Sequence, residues 1–142
     1  VVLIDGERMA KAVIIDRAAR LAQGLASLGV KAGSAVSLLL HNDFACLYAG
    51  LAARYLGAHV VLLNNRSKES ELGYIMQDSD PDVVIGHADL LWNVRAVLPD
   101  VPTLVLQEPG GSHLDRALAG IRGAVDGIAF IARHEPITTQ AG

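Results

Sequence analysis

Cysteine is almost missing from this 142-residue sequence: Cys46 stands alone, so no intramolecular disulfide can form. No set of His, Cys, Asp or Glu residues has zinc-ligand spacing, and a reducing, cytoplasmic setting is expected. Long apolar runs are also lacking. The longest, residues 44–53, falls well short of the roughly 18 residues that a membrane-spanning helix needs. There is no stripe of basic residues. Twelve Lys and Arg against 15 Asp and Glu leave a net charge of −3, spread along the chain, which excludes the electrostatic footprint of a nucleic-acid or anionic-membrane binder. Neither a Gly-x-Gly-x-x-Gly motif nor a Walker loop occurs, so the common phosphate-cradling signatures are absent. His134-Glu135-Pro136-Ile137-Thr138 begins like a zinc-protease helix, but the second histidine is missing and Pro136 spoils the helix. Gly110-Gly111-Ser112-His113-Leu114 sets a serine beside a histidine, yet Leu114 replaces the last glycine of a nucleophile elbow, and the segment reads as a turn.

Apolar residues are abundant. At 51% hydrophobic and 19% charged, with only 4% aromatic, the chain has ample surface to bury as one domain, and disorder is excluded. It opens on Val1-Val2-Leu3-Ile4-Asp5 without Met or a basic-then-apolar leader, and is expected to be a piece of a longer polypeptide.

Residues 1–5 read as a short strand ended by a reversal at Gly6. Between residues 12 and 28, Ile14, Ala18, Leu21, Ala22, Leu25 and Leu28 recur at helical spacing, and Gly29 stands where a left-handed cap belongs. Residues 35–40 form an apolar hexamer, read as a buried strand. His41-Asn42-Asp43 offers side-chain acceptors to a helix over 44–56, which Gly57 ends, and residues 59–63 read as a second buried strand. The crossover between these strands is long enough for a parallel βαβ unit. A third helix is expected over 68–76, capped by Ser67, with Glu69 and Glu71 in its first turn and 78–81 stopping it. A strand at 83–85, a helix over 88–97 and a strand at 103–106 continue the alternation. The fold class is therefore α/β, a largely parallel sheet with helices on both faces. Beyond Leu106 the pattern weakens into turn residues. A helix near 113–121 and a short apolar run at 128–131 are expected there, diluted by Gly120, Gly123 and Gly127, with a linker-like tail from Arg133.

Asn42 and Asn64 follow strands at their carboxyl ends, where open α/β sheets place ligand crevices; a helix cap and a turn former are the simpler readings. Arg66 could bind an anionic ligand through its fork of donors, against a surface pair with Glu69 or Glu71. Cys46 reads as a small core residue and Trp92 as a packing anchor.

The segment from Arg17 to Ile85 resembles the N-terminal part of the adenylate-forming superfamily of acyl-CoA synthetases, luciferases and peptide-synthetase adenylation domains. Ala18-Ala19-Arg20-Leu21-Ala22-Gln23-Gly24-Leu25, followed by Leu28-Gly29-Val30-Lys31-Ala32-Gly33-Ser34, is similar to the family's first helix and the turn out of it. Val36 to Asn42 resembles the next strand and its asparagine. Tyr55-Leu56-Gly57-Ala58-His59-Val60-Val61-Leu62-Leu63-Asn64 resembles the family's Gly-Ala segment ending in Leu-Asn, with Arg66, Leu72, Tyr74-Ile75 and Asp78-Ser79 continuing the match. His41-Asn42 with Val60 to Asn64 looks closest to the fatty acyl-CoA synthetase branch. Met9-Ala10-Lys11-Ala12-Val13 departs from the family's Thr-Tyr-x-Glu-Leu and lacks its aromatic anchor.

The resemblance implies the N-terminal subdomain of a fatty acyl-CoA synthetase, with residues 1–106 as the α/β subdomain and 107–142 as a less ordered extension or linker. It implies ATP, Mg2+ and CoA as cofactors of the parent, fatty acid as its substrate, and the remainder of the same polypeptide as partner. The family's Ser/Thr/Gly-rich loop ending in Pro-Lys-Gly does not occur here; Thr138-Thr139-Gln140-Ala141-Gly142 only echoes its composition, and the true loop is expected beyond the C-terminus. No catalytic or metal-binding residue is therefore assigned, and none of these cofactors is expected to bind the chain tightly. Asn42, Asn64 and Arg66 are the candidate substrate-binding residues. The chain alone is expected to be inactive, to dimerise through an exposed subdomain face, and to derive from a cytoplasmic or membrane-peripheral parent. The alternative is a stand-alone α/β binding or regulatory module without catalysis.

Overall fold

The computed structural model describes residues 1–4 and 6–137. Asp5, the expected end of the first strand, and the tail 138–142 lie outside the described residues. Strand β1 (Val2–Ile4) pairs antiparallel with a second strand, β2 (Glu7–Met9), so the reversal at Gly6, with φ +80°, makes a hairpin where one strand was expected.

Helix α1 (Lys11–Ser27) buries Ile14, Ala18, Leu21, Ala22 and Leu25, the stripe that its spacing predicts. Gly29 follows its end at φ +93°. Strand β3 (Ala35–Leu39) leads to helix α2 (Phe44–Leu56), capped by Asp43, whose carboxylate accepts the Phe44 amide hydrogen bond at 2.7 Å. Strand β4 (His59–Leu62) follows. Helix α3 (Glu69–Ser79) begins after Lys68, not at a Ser67 cap, and runs past Met76. Asp80 ends it by taking φ +47°, with its amide donating to the Met76 carbonyl. Strand β5 (Val83–His87) precedes helix α4 (Ala88–Asn93) and a 3-10 turn at Arg95–Val97, two pieces where one helix was expected. Strand β6 (Thr103–Leu106) matches its expected bounds.

The chain past Leu106 carries more regular structure than its composition suggests. Helix α5 (Leu114–Gly120), strand β7 (Ala124–Asp126) and helix α6 (Gly127–Ala132) follow in turn, and β7 joins the sheet. The glycines serve close approach there: a Cβ on Gly127 would stand 2.6 Å from the Leu106 side chain.

Five strands form one parallel sheet in the order β4-β3-β5-β6-β7. Counted from β3 this is 2-1-3-4-5, the doubly wound order in which the winding reverses between the first and third strands. Helices α1, α2 and α6 cover one face over Val36, Leu38, Val83, Ile85 and Leu104. The other face, bearing Leu39, Val84 and Val105, packs against residues of α3, α4 and α5. The molecule is thus α/β with a parallel sheet covered on both sides. β4 also differs from expectation: it is an edge strand of the sheet, only partly buried, with Leu62 66% exposed.

At the middle of the sheet, close packing leaves no room at Gly86. An added Cβ would stand 2.8 Å from both the Leu39 carbonyl oxygen and the Leu91 Cγ. Gly86→Ala should therefore destabilise the fold by about 1–3 kcal/mol, although the exchange lowers chain entropy in the unfolded state. Urea unfolding would show a lower midpoint; an unchanged or higher midpoint would contradict this packing.

Candidate functional site

The carboxyl ends of β3 and β5 lie side by side, with Leu39 registered against Gly86, at the point where the winding reverses. Three connections meet there: residues 40–43 into α2, His87 into α4, and the loop after β6. His87 ends an otherwise apolar strand and is fully buried. Its Nδ1 accepts the His41 backbone N–H at 3.0 Å. That bond assigns the ring proton to Nε2, which lies 2.9 Å from Asp43 Oδ2 and donates to it. Asp43 also caps α2, so one carboxylate ties β5 to the helix start. Burial lowers the pKa of His87 below the ordinary histidine value, assisted by His41 and opposed by Asp43 and Asp89. The ring is therefore neutral at pH 7.

His41 approaches Asp89, in the first turn of α4, with Nε2 2.7 Å from Oδ2. The two histidine rings stand 5.3 Å apart. In the loop after β6, Pro109 and Gly110 form a turn closed by the Gly111 amide on the Glu108 carbonyl, and Gly110 takes φ +69°. This arrangement, with Pro before a positive-φ glycine, is that of a type II turn. It folds over the Glu108 carboxylate, which accepts bonds from the His113 ring and amide. Burial pushes the Glu108 carboxyl up, but the hydrogen bonds from the backbone and His113 outweigh it, and its pKa is lowered. The remaining oxygens, Asp89 Oδ1 and Glu108 Oε2, are buried without a protein partner among the described residues. Together His41, Asn42, Asp89, Glu108 and Pro109 line a crevice of about 390 Å3.

The AMP-binding enzyme family model matches residues 4–121. The chain belongs to this family. It is 31% identical over 123 residues to a medium/long-chain-fatty-acid–CoA/3-oxocholest-4-en-26-oate–CoA ligase of Mycobacterium tuberculosis H37Rv, covering 84% of this chain and 22% of that protein. A 3-oxocholest-4-en-26-oate–CoA ligase of Rhodococcus rhodochrous is 33% identical over 120 residues, covering 82% and 22%. Among solved structures, the A domain of a carboxylic acid reductase from Segniliparus rugosus, in complex with AMP and a co-purified carboxylic acid, superposes with a TM-score of 0.79. That likeness, at 22% identity over 94% of this chain and 25% of the other, concerns the fold. The chain thus spans about a fifth of the length of these curated relatives. It corresponds to an N-terminal part of an adenylate-forming acyl-CoA synthetase.

Within this AMP-binding enzyme fragment, the three candidate substrate residues do not share one pocket. Asn42 lines the crevice. Asn64 lies on the connection after β4, where its side-chain oxygen accepts the Arg66 amide at 2.9 Å, as a turn former does. Arg66 is exposed and forms no ion pair with Glu69 or Glu71 or any other described residue. Asn65, not singled out from sequence, ties this connection to β3 by donating to the Leu40 carbonyl at 2.9 Å. Trp92 packs on α5, where a Cβ on Gly120 would meet its ring at 2.5 Å, and Arg95 lies over the ring at 3.9 Å. Cys46 is half-buried rather than part of the core.

The imidazoles and carboxylates at the switch point escaped the sequence reading because His41, the pair His87 and Asp89, and Glu108 come from three separate segments. The available signal was a histidine closing an apolar strand. This donor set does not suit a nucleotide and its metal. The crevice lining pairs two carboxylates with no Lys or Arg, which repels a polyphosphate, and among the described residues no group of three or more His, Cys, Asp or Glu could hold a metal ion. It suits proton exchange and hydrogen-bond acceptance instead.

Because the folded-state pKa of Glu108 lies below its unfolded value, the stabilisation it contributes is complete above about pH 4.3 and is lost as pH falls below that. Glu108→Gln should therefore flatten the acid limb of a melting-temperature profile between about pH 5 and pH 3. An equally steep limb in the variant would remove Glu108 from the account.

Proposed function

We propose that this chain is the N-terminal subdomain of an ATP-dependent fatty acyl-CoA synthetase and supplies its scaffold without its reaction centre. The observation that carries the reading is the family match over residues 4–121, joined to relatives whose names specify medium- and long-chain fatty acids. In such a parent, a fatty carboxylate attacks the α-phosphate of ATP to give an acyl-adenylate and pyrophosphate, and the CoA thiol then displaces AMP. Charge developing on the phosphate oxygens needs oriented cationic donors and a metal, which the acidic crevice does not offer. We assign ATP, Mg2+ and CoA to the remainder of the polypeptide, including a phosphate loop beyond residue 142.

The contribution of this segment is then mechanical and steric. Its two-faced sheet holds one layer of the domain, and in this reading Asn42, in the crevice lining, and the exposed Arg66, on the connection after β4, serve as contacts for substrate. Residues 1–106 form the core of that layer in this reading, and 107–142 extend it toward the loop. The parent acts in the cytoplasm or at a membrane surface, and no described helix is long and apolar enough to cross a membrane. The isolated chain dimerises through a face that the parent covers.

The purified 142-residue chain, given ATP, Mg2+ and a long-chain fatty acid, should show no pyrophosphate exchange above background. Grafted in place of the matching segment of the Mycobacterium tuberculosis relative, it should retain fatty-acid-dependent AMP release. Exchange by the isolated chain, or a folded but inactive graft, would overturn the proposal.

A further inference from the structure

We infer that His87 is a proton-operated latch on the His41 backbone: protonation of its ring expels the His41 amide and loosens the β3 side of the loop that walls the crevice. The inference rests on hydrogen-bond topology and stands apart from the proposed function. The neutral ring has one acceptor, Nδ1, and the His41 N–H occupies it at 3.0 Å. A doubly protonated imidazole has two donors and no acceptor. The added proton on Nδ1 would then point at an N–H hydrogen, and the two groups must part. The other side of the ring behaves in the opposite way. Nε2–H already donates to Asp43 Oδ2, and a positive ring binds that carboxylate more strongly. The α2 cap on Asp43 Oδ1 is therefore kept while the β3 side of the loop lets go.

The groups around the ring decide how readily the latch works. Asp43 at the start of α2 and Asp89 on α4 favour the proton, while burial and His41 oppose it. On the neighbouring strand, His87 is registered against Leu106, which does not titrate. His41 carries its own imidazole toward Asp89, so release of its backbone moves a crevice-lining side chain as well.

Long-range nitrogen–proton correlation spectra of the 15N-labelled chain, recorded from pH 7.5 downward, test this without any variant. At pH 7.5 His87 should carry its proton on Nε2. As the ring titrates, below the ordinary histidine value of about 6.5, the hydrogen-exchange protection factor of the His41 amide should fall about tenfold in step with it. The Phe44 amide should keep its protection. His87→Asn should remove the pH dependence of His41 protection. A proton on Nδ1 at neutral pH, unchanged His41 protection while the ring titrates, or acid unfolding with the ring still neutral would each overturn the latch.

Discussion

Burial of the sheet on both faces is the constraint from which the rest of this molecule follows. A parallel sheet reached by helical crossovers is covered above and below, so its central strands must be apolar at every position rather than at every second one. β5 is buried throughout and apolar from Val83 to Gly86, with the polar His87 only at its end. Its neighbour β3 is buried almost completely, with Val36 and Leu38 on one face and Leu39 on the other. Covering both faces leaves polar chemistry little space except at strand ends. The carboxyl edge is where those ends, the helix starts and the reversal of winding coincide.

His87 shows how a polar group is accommodated under that constraint. An unsatisfied buried imidazole would be costly, and a buried charged one more so. Both nitrogens are occupied, one by the His41 amide and one by Asp43, and the ring stays neutral. Asp43 in turn serves the Phe44 amide, an orphan donor of the α2 start. Two side chains thereby join β3, β5 and α2 in one network. The same edge also buries Asp89 Oδ1 and Glu108 Oε2 without a protein partner among the described residues. The network is complete at its centre, around His87, and incomplete at these two carboxylates.

Most of the fold was legible because its signals are local. The helical spacing in α1, the Asp43 and Gly57 brackets of α2, and the β6 run each belong to one short window, and the structure places them close to expectation. The misreadings share a cause. Ser67 has the chemistry of a cap, but the chain enters α3 one residue later, through Lys68 in an extended conformation. The run around residues 59–63 has the composition of a central strand. It becomes an edge because of strand order, which local sequence does not encode. β7 was missed because Gly123 and Gly127, required for a positive φ and for contact with Leu106, dilute its pattern. The site was the least legible part, since its residues meet only after the β3–β5 pairing brings 41–43 and 87–89 together.

Membership of a family and possession of its chemistry are separate physical statements. The match covers residues 4–121, which hold the parallel strands β3 to β6 and the helices α1 to α5. Adenylation makes a different demand, for positive charge and glycine-rich backbone around phosphate. The crevice at this sheet's carboxyl edge has the opposite electrostatics, with Asp89 and Glu108 facing it and neither Lys nor Arg in its lining. The edge that an open α/β sheet ordinarily offers to phosphate is here occupied by hydrogen-bonded imidazole–carboxylate pairs. In a segment spanning about a fifth of its relatives' length, those pairs tie the ends of β3 and β5 to the starts of α2 and α4, so the fold of the family is present while the lining of this crevice carries no cation to meet a phosphate.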